Sequence, residues 1–168
     1  MLRDLGILLA RGTVGLAFAS HGTQKAFGWF DGPGPQGAAG FMESLGFKPG
    51  ARYATSSAYT ELVSGVSLAL GLGGPLAPAA IVSVMVVAQS SVHAKNGFFA
   101  QKGGIELGVL YVAAAVALVM GGYGRYSLDA LLRLDEPLED GVLVWAALGA
   151  GALAGLVALA QRQPPAIE

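Results

Sequence analysis

The chain has 168 residues, of which 54% are apolar and only 12% are charged, and its mean hydropathy is +0.58. Soluble domains carry about 25% charged residues, so this composition favours a protein that folds in lipid. Ten basic and eleven acidic residues give a net charge of -1, which excludes nucleic-acid binding through basic charge. The chain has no cysteine, which excludes disulfides, thiol catalysis and cysteine-ligated metals.

Five stretches are predicted to be membrane-spanning helices, because a span needs about 20 mostly apolar residues and lipid does not tolerate exposed irregular backbone. The run from Leu62 to Ala88 has no charge, but glycines and prolines between residues 71 and 78 indicate a turn that divides it into two helices. The predicted spans are about Leu5–Phe27, Ala54–Leu72, Leu76–His93, Ile105–Gly121 and Gly141–Ala160. The expected fold class is therefore all-α. A signal peptide cleaved after Ala19 is disfavoured, because Arg11 interrupts the apolar stretch.

The segments between the predicted spans are polar or rich in glycine and proline. Residues 31–37, Asp-Gly-Pro-Gly-Pro-Gln-Gly, are predicted to be loop. Ala38–Phe47 is expected to be a short interfacial helix with its apolar residues on the membrane surface, a plain loop being the alternative. Gly122–Asp140 contains five acidic residues, and Ser127 and Asp129 are candidate caps for a short helix. We expect this acidic face to be solvated.

Antiparallel threading places polar residues of four spans at one face of the membrane. At 1.5 Å per residue, they fall within roughly 10 Å of a common level. Ionisable groups in spans usually face the bundle interior and pair with one another, so we predict a buried pocket that receives a polar headgroup or relays a proton. In it Lys25 would balance Glu61 or Glu106. The alternative is an ion pair that only fixes helix register. The residues concerned are His21, Lys25, Glu61, Gln89, His93 and Glu106.

Small residues and one arginine are expected to serve packing. Arg11 shares a helical face with Phe18, His21 and Lys25 but lies near the opposite end of the first span. A neighbouring seam of small residues, which suits close helix packing, consists of Gly12, Gly15, Ala19 and Gly22. The fifth span has small residues at four-residue intervals, and we expect it to pack on its own bundle rather than to dimerise. These residues are Ala147, Gly151 and Gly155.

Metal or haem binding is a weaker interpretation of the histidines. Two lone histidines without an attachment motif disfavour bis-histidine haem, and the histidines and glutamates lack the local spacing of a metal site.

The basic residues set the expected orientation of the chain in the membrane. Six of them flank the predicted cluster and three flank the other side, which favours a cytoplasmic cluster. The six are Lys25, Lys48, Arg52, Lys95, Lys102 and Arg162, and the three are Arg3, Arg125 and Arg133.

Four stretches, taken in their order and spacing, carry a family resemblance. They are Ser20–Phe30 (SHGTQKAFGWF), Glu61–Gly71 (ELVSGVSLALG), His93–Glu106 (HAKNGFFAQKGGIE) and Gly124–Leu132 (GRYSLDALL). Over about residues 5–132 the chain resembles the DoxX family of small bacterial membrane proteins.

The resemblance implies a polytopic core of four transmembrane helices. The expected architecture is thus a DoxX-like four-helix membrane domain at 1–132, followed at 133–168 by an acidic loop, a fifth C-terminal transmembrane helix and a short polar tail. The family positions that it implies largely coincide with the predicted cluster and add Asn96. They are His21, Lys25, Glu61, His93, Asn96 and Glu106.

The functions implied by the resemblance are redox functions of the bacterial inner membrane. The family is named after a subunit associated with a terminal quinol oxidase and with thiosulfate:quinone oxidoreduction, and other members are linked to oxidative-stress responses. Our leading hypothesis is a respiratory or redox component that binds a quinone-like or other lipophilic molecule, or lipid, at the cluster. Electron transfer would need a bound cofactor or a partner membrane protein, so the hypothesis leaves open whether the chain is an enzyme. A non-catalytic scaffold or assembly factor is the alternative, and a solute or proton conductor is disfavoured.

Overall fold

The computed structural model describes residues 1–163, and these form eight α-helices and no strand. The all-α expectation is confirmed for this part of the chain. The helices are α1 (Leu2–Phe27), α2 (Gly34–Ser44), α3 (Gly50–Leu70), α4 (Leu76–Ala88), α5 (Glu106–Met120), α6 (Leu128–Leu131), α7 (Asp135–Leu138) and α8 (Gly141–Ala160). The polar tail that the sequence predicts after α8 lies largely outside the described residues.

Turns separate the helices where glycine and proline predict them. The connection from α3 to α4 contains Gly71, Gly73 and Gly74, all with positive φ (64°, 82° and 49°), a backbone conformation that favours glycine. Helix α4 continues through a π-helical turn, Gln89–His93, and a 3-10 turn, Ala94–Asn96. The predicted interfacial helix starts earlier than expected, at Gly34 rather than Ala38, because prolines at its first turn lack N–H groups that would need partners.

Two helices in the described part of the chain are long and apolar enough to cross a membrane by length and composition. They are Leu76–Asn96, which combines α4 with the turns that follow it, and Gly141–Ala160. Glu106–Met120 is apolar but shorter. Helices α1 and α3 are long, but the polar residues that the sequence places on them lower their mean hydropathy.

Helices α1 and α3 form the most extensive helix contact, along the predicted seam of small residues. A Cβ atom added at Gly15 would lie 2.5 Å from Ala69 N, and one added at Gly22 would lie 2.5 Å from Leu62 N. Larger side chains at these two positions would therefore push the backbones apart. Gly12 is different, because a Cβ there would meet nothing within 4 Å. Its predicted place in the seam is wrong.

The remaining long helices extend this pair. Helix α3 also packs on α4, α4 on α5, and α5 on α1, so that a core of apolar side chains lies among the four. That core includes Phe18, Leu68, Ile81, Ala115 and Leu118. Helix α8 packs mainly along α4. Its Gly151 lies against Ala79 O, and a Cβ at Gly155 would be 2.8 Å from Ser83 O.

Asp129 is buried, so the expectation of a solvated acidic face is wrong for this residue, whereas Glu136, Glu139 and Asp140 are exposed as expected. Its side chain accepts hydrogen bonds from Gly73 N (2.9 Å) and Gly74 N (2.8 Å), and the residue is only 2% exposed. The positive-φ turn before α4 leaves these two N–H groups unpaired, and a carboxylate satisfies both. Ser127 caps α6 as predicted, since its hydroxyl accepts from Ala130 N at 3.1 Å.

Arg11 and Tyr123 complete this buried polar end of the helices. The Arg11 guanidinium is 1% exposed and donates to Ala69 O and to Tyr126 O, the latter at 2.6 Å. The Tyr123 hydroxyl donates to Gly74 O at 2.6 Å. Burial raises the pKa of Tyr123, and the Asp129 carboxylate raises it further, so the hydroxyl keeps its proton and remains a donor. Together these groups tie α6 and its flanking loop to the ends of α1, α3 and α4.

Candidate functional site

Lys25 and Glu61 form an ion pair between α1 and α3. Lys25 lies in the last turn of α1, and Glu61 lies on the inner face of α3, where it is 2% exposed. Ser57, one helical turn before Glu61, donates to Glu61 Oε1 at 3.0 Å and accepts from Lys25 Nζ at 3.3 Å. Of the two pairings that the sequence allows for Lys25, the structure contains the one with Glu61.

The second carboxylate oxygen of Glu61 is left without a partner. Oε1 receives both protein hydrogen bonds, from Lys25 and Ser57. Oε2 is buried, and no donor among residues 1–163 reaches it. A buried polar atom without a partner costs free energy, about 1–3 kcal/mol or more when it is charged, so such atoms often mark places where a further group binds.

A cavity of about 430 Å³ lies beside this pair and is lined mainly by residues of α2, α3 and α4, with Ala158 of α8. Cavities of about 300–1,000 Å³ that are mostly apolar with a few polar groups are typical of small-molecule sites. The polar wall consists of Lys25, Ser56, Ser57, Thr60, Glu61, Ser83 and Ser91. The apolar wall includes Phe41, Met42, Leu45, Phe47, Val84, Val87, Val92 and Ala158. An apolar molecule with a polar end would match both walls.

Helix α2 turns its apolar residues toward this cavity, which corrects the expectation that they lie on the membrane surface. Phe47, just after α2, is 1% exposed and packs against Tyr53 in a tilted arrangement with ring centroids 5.2 Å apart. The reason is close packing, since Gly50 at the start of α3 lies directly against Ala39 O of α2. Only Phe41 of this group remains half exposed, at 51%.

The end of α8 contributes to the cavity wall and to the loop beside it. Ala158 contributes to the wall, and the residues after it hold the α2–α3 loop. Arg162 Nε donates to Leu45 O, and Gln163 N donates to Gly46 O at 2.7 Å. Tyr53 OH donates to Gln161 Oε1 at 2.8 Å. The C-terminal helix therefore helps to build the cavity as well as packing on the bundle.

His93, Asn96 and Glu106 do not line this cavity, although the sequence predicts one shared pocket. His93 Nδ1 lies 2.7 Å from Gly103 O, and Asn96 Nδ2 donates to the same oxygen at 3.2 Å. Glu106 Oε2 accepts from Ala100 N at 2.8 Å. These side chains stabilise the loop between α4 and α5, which folds back on itself and uses their polar groups locally. The single predicted pocket is therefore wrong in this respect.

His21 and Gln89, two further residues of the predicted pocket, do not line this cavity either. His21 is exposed and packs edge-to-face on Tyr111 of α5, with centroids 6.2 Å apart. Gln89 lies against Gly108 of α5, and its buried Oε1 has no partner within residues 1–163. Across the same residues, no histidine forms a hydrogen bond or ion pair with Lys25 or Glu61, and no three His, Asp or Glu side chains are grouped as a metal site would need.

Three parts of the site were not predicted from the sequence. Ser57 had a usable pattern, because it precedes Glu61 by one helical turn and shares its face. Ser91 lies on the π-helical turn, is 6% exposed and has no partner for its hydroxyl, but nothing in the sequence distinguishes it from the exposed Ser90. The third part is the contribution of α2 to the cavity, since its apolar residues were expected to lie on the membrane surface.

A family model matches residues 6–94, which is more than half of the chain, and its description is DoxX. The chain belongs to the DoxX family. The matched region of this DoxX protein contains α1 to α4, and with them Lys25, Ser57, Glu61 and Ser91. It is shorter than the resemblance at about residues 5–132, and α5 and α8 lie beyond it. No curated protein and no solved structure matches the chain. Family membership and the two apolar helices indicate a membrane protein.

Proposed function

We propose that this DoxX protein is a multi-pass protein of the bacterial inner membrane that binds a quinone-like or other polar-headed lipophilic molecule in the cavity beside Lys25 and Glu61. In this proposal α1, α3, α4 and α5 form a four-helix membrane bundle, α8 is a fifth span, and the cavity lies toward the cytoplasm. The protein would act in a respiratory or redox system. The carrying observation is that a largely apolar cavity of about 430 Å³ has in its wall an ion pair whose carboxylate is buried.

The chemistry of the wall supports a polar-headed lipophile. The apolar side chains of α2 and α4 suit a ring or chain, whereas the ammonium, hydroxyl and carboxylate groups suit an oxygen-bearing head. Lys25 and Glu61 nearly cancel each other's charge, so the head need not be ionic. The pair and Ser57 can also hold or pass a proton, as intramembrane chains of such residues do. None of these side chains carries electrons, so a redox role requires a partner or a bound cofactor.

The test is to narrow the cavity and analyse what the purified protein retains. Ala158→Phe places a ring in the cavity wall, and Ala154→Phe makes the same change one helical turn earlier, where the residue is exposed. Lipophilic molecules extracted from equal amounts of each protein are identified by mass spectrometry. We expect wild type and Ala154→Phe to retain the same neutral molecule and Ala158→Phe to lose most of it. Equal retention by all three would contradict the proposal.

The alternative function, a scaffold or assembly factor, is favoured by the internal pairing of Lys25 with both Glu61 and Ser57, which holds α1 to α3 without any ligand. The same purification distinguishes the two functions. A scaffold would retain identical lipids in all variants, and a co-purifying membrane protein would be lost when the Lys25–Glu61 pair is removed.

A further inference from the structure

The polar wall of the cavity contains a carboxylate oxygen, Glu61 Oε2, that has no hydrogen-bond donor among the described residues. Ser57 donates its hydroxyl proton to Glu61 Oε1 and accepts from Lys25 with one of its two lone pairs, so it has no further proton to donate. Glu61 Oε2 receives nothing, although the residue is only 2% exposed and lines the cavity. A carboxylate oxygen is an acceptor only. The partner that completes it must therefore bring a proton.

Ser91 supplies a second unpartnered polar atom in the same wall. It lies on the π-helical turn that ends α4, it is 6% exposed, and its Oγ has no partner among the described residues. A serine hydroxyl can either donate or accept. Two nearly buried, unpartnered polar atoms on different helices, one an acceptor only, thus belong to residues that line the same cavity.

We propose that the cavity selects a neutral lipophile that carries a hydroxyl group, and that Glu61 Oε2 accepts the hydrogen bond of that hydroxyl. The inference rests on the proposed function and specifies its ligand class. A lipophile with an ether or ketone oxygen in place of the hydroxyl has no proton to donate, and an anionic headgroup meets a carboxylate whose only cation is already engaged. Within the quinone-like class, the reduced hydroquinone has the donor and the oxidised quinone does not.

Glu61→Gln changes the Oε2 position from a hydrogen-bond acceptor to a donor and keeps the shape of the side chain. Lys25 and Ser57 both donate to the Oε1 position, so the amide oxygen will occupy it. The amide NH₂ then takes the place of Oε2, and the wall has a donor where the wild type has an acceptor. The variant should therefore lose the preference for a hydroxyl ligand while the apolar wall stays intact.

The test compares two probes of equal shape, 4-nonylphenol and its methyl ether 4-nonylanisole, on the full-length protein in phosphatidylcholine nanodiscs. Binding is measured by titration calorimetry and corrected with empty nanodiscs. Hydrogen bonds to charged groups are worth about 1.5–3 kcal/mol, so wild type should bind the phenol roughly 10-fold or more tighter than the ether. In Glu61→Gln the ratio should fall to about twofold or less by the same reasoning.

Ser91→Ala provides the second variant, with Ser90→Ala as its control because Ser90 is the exposed neighbour. Ser91→Ala should weaken phenol binding about 3-fold or more, as expected for one neutral hydrogen bond, and Ser90→Ala should not change it.

Each outcome separates this inference from the proposed function. Equal binding of both probes to wild type, abolished by Ala158→Phe, would overturn the inference and leave the proposed function standing. Failure of both probes to bind would contradict both. An unchanged ratio in Glu61→Gln would overturn the assignment to Glu61. The wild-type comparison decides the inference even where a variant does not fold.

Discussion

Replacing Lys25 by methionine tests the buried ion pair directly. The change keeps most of the length of the unbranched side chain but leaves the Glu61 carboxylate, 2% exposed, with only the Ser57 hydroxyl as a donor. Removing one partner of a buried pair costs about 3–5 kcal/mol. The Lys25 side chain is 29% exposed, so part of its charge is already solvated, and we expect a loss of unfolding free energy near 3 kcal/mol, the lower end of that range.

The double variant Lys25→Met/Glu61→Gln should recover most of that stability, because no unpaired charge remains. We expect it to lie within about 1 kcal/mol of wild type, which gives a coupling energy of about 2 kcal/mol or more in the double-mutant cycle. The assay is reversible unfolding in mixed micelles, followed by circular dichroism. Lys95→Met is the control, since Lys95 is exposed, and it should change stability by no more than about 0.5 kcal/mol. Purely additive effects in the cycle, or a Lys25→Met cost no larger than that of Lys95→Met, would contradict a stabilising ion pair between Lys25 and Glu61.

Three further predictions concern helix packing, the Asp129 cap and the C-terminal closure of the cavity. Gly15→Ala should destabilise the protein by about 1–3 kcal/mol in thermal unfolding, because the new methyl group meets the α3 backbone, whereas Gly12→Ala should be neutral or stabilising; equal effects would contradict the packing. Asp129→Asn should cost about 1–3 kcal/mol by removing one charged acceptor, while exposed Glu136→Gln should change stability by less than about 0.5 kcal/mol; a neutral Asp129→Asn would refute the cap. Arg162→Ala should release the bound lipophile several-fold faster in a dilution assay with no loss of helix content, and an unchanged rate would show that the contact with Leu45 does not close the cavity.

The helices of the described chain were largely predictable from the sequence, because hydropathy and glycine–proline punctuation act locally. Each long helix begins and ends within a few residues of its prediction, and the turn at residues 71–75 is where the glycines indicate it. The sequence also limited the partners of Lys25 to two carboxylates, Glu61 and Glu106, because the rise per residue of a helix fixes the level of each group along it.

The sides on which polar groups face were not predictable, because they depend on tertiary structure. Glu106 and His93 reach the expected end of the bundle, but the loop between α4 and α5 folds back and binds them to its own backbone. Asp129 looked solvated because the unpaired N–H groups that it caps lie far away in the sequence, at residues 73 and 74. The cavity is lined by residues of α2, α3 and α4 and by Ala158 of α8, a combination that no local pattern encodes.

Photolabelling is the most direct test of the central claim that the cavity beside Lys25 and Glu61 binds a lipophilic molecule. A photoreactive lipophile that carries a hydroxyl group, an alkylated azidophenol, is reacted with the protein in nanodiscs, and the labelled residues are located by tandem mass spectrometry. We expect labels on the cavity walls, within residues 41–47 of the α2 region and residues 84–92 of α4 and its π-helical turn, and their loss in Ala158→Phe but not in Ala154→Phe. Labels spread over exposed residues of α8 such as Leu153 and Leu156, unchanged by Ala158→Phe, would contradict it.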